Sequence, residues 1–299
     1  MELKDELKEN FKDRVFFEFP ASEITSFKTG GKISILLFPL DKKDIETLYN
    51  LEKQHNVPVK FLGRGSNVLI SDKGYNGILA MTENFSKLSL ENENVYAESG
   101  VKISGFLSFC MDNNLKNMEF LTGIPGSIGG AIIMNAGTKD LFISSITDKI
   151  NFLDKKGGWV EKNVSEIITG YRMSSLKEEA FFIVSAIFKL ERGNSGEIKQ
   201  KMKEIMKTRM NIQPLEHPSA GSIFKNPPGF FAGKLIEDAG LKGTKTGGVE
   251  ISEKHANFII NTGNANSSDV YELIMNVKEK IFSKYGIILE PEIEFIGDF

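Results

Sequence analysis

Phe61-Leu62-Gly63-Arg64-Gly65-Ser66-Asn67-Val68 opens like a dinucleotide-binding fingerprint, G-x-G-x-x-G, and then departs from it. Val68 stands where the third glycine belongs, and the residues that follow, Leu69-Ile70-Ser71, read as a strand rather than a helix. A Rossmann turn needs a helix N-terminus to receive the phosphate, so this stretch argues against that fold. No G-x-x-x-x-G-K-S/T occurs in the chain, which excludes a P-loop. Two readings remain. The segment is a tight connection between strands, or it is a nest whose alternating glycines turn successive backbone N–H groups toward one anion, with Arg64, Ser66 and Asn67 adding side-chain donors.

A second glycine segment bears on that choice: Thr122-Gly123-Ile124-Pro125-Gly126-Ser127-Ile128-Gly129-Gly130-Ala131, continuing to Met134-Asn135-Ala136-Gly137. Glycine this dense leaves little side-chain bulk, which suits close approach of a flat or phosphorylated ligand better than simple turning of the chain. Two such segments suggest a ligand with both a pyrophosphate and a ring, that is, a dinucleotide cofactor held without a Rossmann fold. The candidate cofactor-binding residues are Leu62, Gly63, Arg64, Gly65, Ser66, Asn67 and Val68 in the first segment. In the second they are Gly123, Ile124, Pro125, Gly126, Ser127, Gly129, Gly130, Asn135 and Gly137.

Outward from these segments the chain reads as α+β. Asp41 is placed to cap a helix carrying Ile45, Leu48 and Tyr49 on one face and ending near His55-Asn56, before Pro58. Short strands are expected at Val59–Leu62, Val68–Ser71 and Ile78–Thr82. Ile103, Phe106, Leu107, Cys110 and Met111 share one helix face, and Asn113-Asn114 stops it. Strand-like runs follow at Lys149–Leu153, Trp159–Val164 and Phe181–Leu190. Arg192-Gly193-Asn194-Ser195-Gly196 is the clearest boundary signal. After it come a helix bearing Ile198, Met202, Ile205 and Arg209, and a short helix ending at Gly240. A longer helix follows, capped around Ser267-Ser268, with Val270, Leu273, Ile274, Val277 and Ile281 on one face. A last strand, Ile287 to Phe295, is interrupted by Pro291. The expected divisions are residues 1–84 and 85–195 as two lobes and 196–299 as a third domain.

A third polar run lies in that last part: Ala220-Gly221-Ser222-Ile223-Phe224-Lys225-Asn226-Pro227-Pro228-Gly229. Gly and Pro hold the backbone in non-helical geometry, so a hydroxyl, a cation and a carboxamide are placed within a few residues of one another. Such a set can donate a proton while neighbours hold an anionic substrate; it also reads as an ordinary polar turn.

Composition bounds the partners. The chain has 299 residues with 37 Lys and Arg against 40 Asp and Glu, a formal charge of −3. That balance offers no general attraction to nucleic acid or anionic membranes. The start, Met1-Glu2-Leu3-Lys4-Asp5-Glu6, lacks the apolar core of a secretory signal, and no apolar run reaches the roughly 20 residues of a membrane helix. A single cysteine, Cys110, cannot form an internal disulfide. A cytoplasmic protein is expected, with no membrane insertion and no obligate protein partner evident. His55, His217, His255 and Cys110 have no metal-ligand spacing, and no metal is expected.

At this point the motifs resemble a known family. SFKTGG (Ser26–Gly31), LGRGSNVLIS (Leu62–Ser71), GIPGSIGGAIIMNAG (Gly123–Gly137), GYRMS (Gly170–Ser174), QPLEHPSAGSIFKNP (Gln213–Pro227), FAGKLIEDAGLKG (Phe231–Gly243), SEKHANFIIN (Ser252–Asn261) and LEPEIEFIG (Leu289–Gly297) run in the order found in the UDP-N-acetylenolpyruvoylglucosamine reductases of peptidoglycan synthesis. The resemblance implies two lobes that hold FAD, a third domain that binds the UDP-sugar, and a C-terminal strand returning toward the flavin. It implies that NADPH reduces the flavin, that the enolpyruvyl sugar takes a hydride at its vinyl carbon, and that the adjacent carbon is then protonated. The implied proton donor is Ser222, with Arg172 and Glu292 as the electrostatic pair. Lys225 and Asn226 fall where substrate is held, Tyr171 flanks the site, and His255 lies where some members place an amide near the UDP moiety.

Two departures stand out. No tyrosine-bearing insertion separates Arg172 from Ser222, so the chain resembles the shorter subtype, and Asn135-Ala136-Gly137 is followed by Thr138-Lys139-Asp140 without a further glycine. A non-catalytic nucleotide or UDP-sugar binder on the same scaffold is the competing class, and a flavoprotein with another substrate lies between. Ser222, Arg172 and Glu292 favour the enzyme, because a binder needs no proton donor.

Overall fold

The computed structural model describes residues 2–91, 93–138 and 140–299. Met1, in the charged N-terminal run, and Lys139, in the Thr138-Lys139-Asp140 departure, lie outside the described residues. The architecture is α+β, as expected. It divides into two compact units, and neither is a continuous stretch of chain. The first comprises Met1–Phe16, Ile35–Arg64 and Gly77–Thr208; the second comprises Phe17–Ser34, Gly65–Asn76 and Arg209–Phe299. These units do not coincide with a continuous partition at 84 and 195. Turn residues in the sequence mark local loops, whereas the chain here changes unit within the strands Val15–Pro20, Lys32–Leu37 and Tyr75–Met81 and within the helix Ser195–Ile212.

In the first unit, an antiparallel five-stranded sheet runs in the order Trp159–Asn163, Thr147–Asp154, Ala180–Phe188, Asn94–Glu98 and Leu88–Glu91. The helix Ile103–Asp112 contributes Ile103, Phe106, Leu107 and Cys110 to one core with Val95, Ala97, Phe152 and Phe188. Asp41 caps the helix Lys42–His55 by accepting from Asp44 N, and left-handed Asn56 ends it. Val59–Leu62 then pairs in parallel with Ile78–Met81.

Ser127 caps a short helix, Ile128–Ile133, whose apolar side buries Ile128, Ala131 and Ile132. Glycine is a poor helix former, and packing of these three side chains on the core overrides it.

In the second unit the core gathers around the helix Ser267–Tyr285, which buries the expected Val270, Leu273, Ile274, Val277 and Ile281. Its cap is Asn266, reciprocated by Asp269, one residue before the expected serines. Gly286 in the left-handed region closes it. Val68–Ile70 does not form a hairpin with Val59–Leu62. It pairs in parallel with the C-terminal strand Glu294–Ile296. That strand is shorter than the expected Ile287–Phe295, because the backbone from Glu290 to Glu292 bonds to Ile223 and Lys225 instead. Among the described residues no helix is long and apolar enough to cross a membrane.

Candidate active site

The first unit brings Gly63, in the first glycine segment, against the second glycine segment. A methyl group at Gly63 would lie 2.2 Å from Ser127 Oγ, and one at Gly129 would lie 2.7 Å from Ser99 Cβ. Only hydrogen fits at these points, so each glycine lets a serine side chain pack directly against its backbone. Gly126 O accepts from Ile103 N at 3.1 Å, tying the second segment to the start of the helix Ile103–Asp112. Ile124 packs on the core and Leu62 is buried, while Pro125 and Gly130 are exposed.

Three buried hydroxyls sit around this cradle: Thr82 Oγ1, Ser99 Oγ and Thr122 Oγ1 have no hydrogen-bond partner among the described residues. Thr82 N donates to Leu62 O, Gly129 N donates to Ser99 O, and Thr122 precedes Gly123. Buried hydroxyls ordinarily find partners, so three beside two side-chain-free approaches fit a group rich in acceptors. FAD meets that requirement with its pyrophosphate and its ring carbonyls. Sequence reasoning missed Thr82 and Ser99; isolated hydroxyls at strand ends carry no motif, and only their missing partners mark them.

Arg172 is also in the first unit. Its backbone φ is +54°, uncommon for a residue with a side chain. Its Nη2 donates to Gly137 O at 3.1 Å, and its guanidinium lies 5.3 Å from the centre of the Tyr171 ring. Asn135, 2% exposed, donates to Gly170 O at 2.8 Å and accepts from Ser144 N at 3.2 Å. The expected Asn135 and Gly137 therefore hold the turn that carries Tyr171 and Arg172. Arg64 is less committed to a nest than expected: its side chain is exposed and lies 3.9 Å from Glu83.

The second unit gathers Ser222, Glu292 and Asn67. Residues 222–225 run extended between two segments. On one side Ser222 bridges Phe258 and Ile223 N donates to Asn257 O; on the other, Glu292 N donates to Ile223 O at 2.7 Å and Lys225 N donates to Glu290 O at 2.9 Å. Buried Asn257 locks the centre, accepting from Phe224 N and donating to Phe224 O. Asn67 Nδ2 donates to Glu292 O at 3.0 Å, and Asn67 O accepts from Glu294 N at 2.9 Å. The end of the first glycine segment is thus bonded to Glu292 and to Glu294. Gly65 O accepts from Ser26 N, Ser66 is half-buried, and Val68 begins the strand that pairs with Glu294.

The expected substrate-binding residues of this unit have local partners. Lys225 Nζ lies 3.2 Å from Glu290, and Asn226 Oδ1 accepts from Ala232 N at the start of the helix Ala232–Asp238. His255 Nδ1 accepts from Asn257 N at 3.2 Å, leaving Nε2 to carry the ring proton. Burial lowers the His255 pKa below its ordinary 6.5, which favours the neutral ring. Among the described residues no group of three or more His, Cys, Asp or Glu could hold a metal ion.

Residues 33–162 match the model of the FAD binding domain, and residues 213–296 match that of the UDP-N-acetylenolpyruvoylglucosamine reductase C-terminal domain. The chain is 40% identical over 297 residues to the UDP-N-acetylenolpyruvoylglucosamine reductase of Caldanaerobacter subterraneus subsp. tengcongensis, covering 99% of this chain and 98% of the relative. It is 43% identical over 284 residues to the protein of that name from Caldicellulosiruptor bescii, covering 94% and 90%. A crystal structure of UDP-N-acetylenolpyruvylglucosamine reductase from Thermus caldophilus superposes with a TM-score of 0.81 at 29% identity, over 95% of this chain and 98% of that one.

Proposed function

The chain belongs to the UDP-N-acetylenolpyruvoylglucosamine reductase family of FAD-dependent oxidoreductases, and we propose that it uses NADPH to convert UDP-N-acetylglucosamine enolpyruvate to UDP-N-acetylmuramate, with Ser222 as proton donor. The observation that carries this reading is the rung at Ile223: one backbone hydrogen bond of 2.7 Å sets the Glu292 turn against the residue next to Ser222. It holds the backbones that carry Ser222 and Glu292 side by side, which supports a shared role for the hydroxyl and the carboxylate.

FAD, when bound by the cradle of Gly63, Ser127, Gly129 and the hydroxyls of Thr82, Ser99 and Thr122, supplies a hydride for the vinyl carbon of the substrate. The chain's own residues manage the charge and the proton. Hydride addition spreads negative charge onto the substrate carboxylate. Arg172, whose planar guanidinium donates to Gly137 O, is suited to meet it with two hydrogen bonds where Lys could not. Donors of this kind are typically worth about 3–4 kcal/mol in a transition state.

Ser222 is a weak acid, but the enolate carbon is a strong base. The O–H proton passes to that carbon, and water restores it. Glu292 orients the hydroxyl or the water that recharges it. Tyr171, Lys225, Asn226 and neutral His255 are assigned to the substrate, the last as an N–H donor. The protein acts in the cytoplasm and is of the shorter subtype, without the tyrosine loop.

The test is direct. Purified protein loaded with FAD is expected to be yellow, to be bleached anaerobically by NADPH, and to recover its colour when UDP-N-acetylglucosamine enolpyruvate is added. Protein that takes up no flavin, or whose colour the enolpyruvyl sugar does not restore, contradicts the proposal.

A further inference from the structure

The turn that carries His255 also holds the segment that carries Ser222, and one buried side chain makes the connection. Asn257 is 5% exposed, and both ends of its carboxamide go to a single residue. Oδ1 accepts from Phe224 N at 3.0 Å, and Nδ2 donates to Phe224 O at 2.8 Å. This is the double bond exchange that a neighbouring antiparallel strand would offer, supplied here by a side chain. The backbone of Asn257 makes two further bonds. Its O accepts from Ile223 N at 2.9 Å, and its N donates to His255 Nδ1 at 3.2 Å. The next residue, Phe258, bridges Ser222, and its ring meets the His255 ring edge to face with centres 4.8 Å apart.

The chemistry of this clamp is specific. A carboxamide presents an acceptor and a donor side by side in one plane. An aspartate would turn a second acceptor toward Phe224 O, and a leucine would leave a buried N–H and a buried C=O without partners. On its other side the same segment is held by backbone groups alone, through Glu292 N to Ile223 O and Lys225 N to Glu290 O. The side-chain clamp acts two residues from Ser222. Proton transfer demands placement at that scale, since a shift of about 1 Å in a reacting group can cost about a hundredfold in rate.

We propose that Asn257 is a positioning residue for the proton transfer. Its side chain fixes where the Ser222 hydroxyl stands, and its backbone N–H keeps His255 in the tautomer that presents Nε2–H to the substrate. One buried residue thereby sets the proton donor and a substrate contact together. This rests on the functional reading above, in which Ser222 donates and His255 meets the sugar nucleotide.

Asn257→Asp and Asn257→Ser test it in the flavin-loaded enzyme, with reoxidation of the reduced flavin by UDP-N-acetylglucosamine enolpyruvate followed anaerobically. Both variants are expected to reoxidise about tenfold or more slowly, and the loss is expected to persist at saturating sugar because the donor is displaced. In a Ser222→Ala background the same substitutions are expected to add less than about twofold, since the group they position is gone. Reoxidation of Asn257→Asp at the wild-type rate overturns the proposal, as does the full loss appearing again on top of Ser222→Ala, the mark of a general structural defect. Hydrogen exchange of the wild-type protein gives a check that needs no variant: the Ile223 and Phe224 amides are expected to exchange with the slow core class, and exchange as fast as that of exposed loops overturns the clamp. Wild-type flavin that the enolpyruvyl sugar does not reoxidise refutes the functional reading, whereas wild-type turnover with an unaffected Asn257→Asp refutes this proposal alone.

Discussion

At Gly63 one hydrogen atom stands where any other residue would place a carbon 2.2 Å from Ser127 Oγ. Ser127 cannot simply turn away, because its hydroxyl caps the helix Ile128–Ile133 through Gly130 N. Gly63→Ala is therefore expected to lower FAD occupancy sharply, read as the ratio of flavin to protein absorbance. Adding Ser127→Ala removes the nearest clash and is expected to restore part of it. No loss of flavin in the single variant would mean that the two glycine segments do not form the cradle. His255 offers a pH signature at the same scale. Its folded pKa lies below the ordinary 6.5 through burial, so the unfolded chain binds the proton first. Stability is expected to fall as pH drops below about 6.5. His255→Gln should flatten that part of the denaturation midpoint against pH, and an unchanged slope would show that His255 contributes nothing to it.

Among the elements, the helix Ser267–Tyr285 is held at its start from outside its own sequence. The Asp72 carboxylate accepts from Ser267 N, Ser268 N and Ser268 Oγ at 2.8, 2.7 and 2.7 Å, beyond the box that Asn266 and Asp269 already form. Asp72→Ala is expected to cost about 1–2 kcal/mol, seen as a melting temperature lower by a few degrees, while Asp72→Asn keeps much of the cap. No change in melting would remove Asp72 from the account. The apolar stripe of this helix was legible from spacing alone, because Val270, Leu273, Ile274, Val277 and Ile281 repeat at helical period. Asp72 was not, since nothing local links it to a helix nearly two hundred positions away. The last strand was overextended for a related reason. Ile287 to Phe295 reads as strand by residue type, but its backbone groups near Glu292 are committed to Ile223 and Lys225. The site divides the same way. Glycine density pointed to the candidate cradle and motif order to Ser222, Arg172 and Glu292 as candidates, whereas Thr82 and Ser99 are marked only by missing partners among the described residues.

For the molecule as a whole, the chain changes unit several times, so each core is assembled from distant segments. Cys110 lies fully buried in the first core, and burial pushes its thiol up to about 12. Native protein is expected to resist thiol reagents at neutral pH and to label only as fast as that core opens. Immediate labelling would contradict the packing. The central claim is that Ser222 donates the proton in an otherwise intact flavoenzyme, and anaerobic half-reactions of Ser222→Ala separate the two parts. NADPH is expected to bleach the variant's flavin absorbance at the wild-type rate, while recovery on adding UDP-N-acetylglucosamine enolpyruvate slows by at least about a hundredfold. Recovery at the wild-type rate would show that the proton comes from another group.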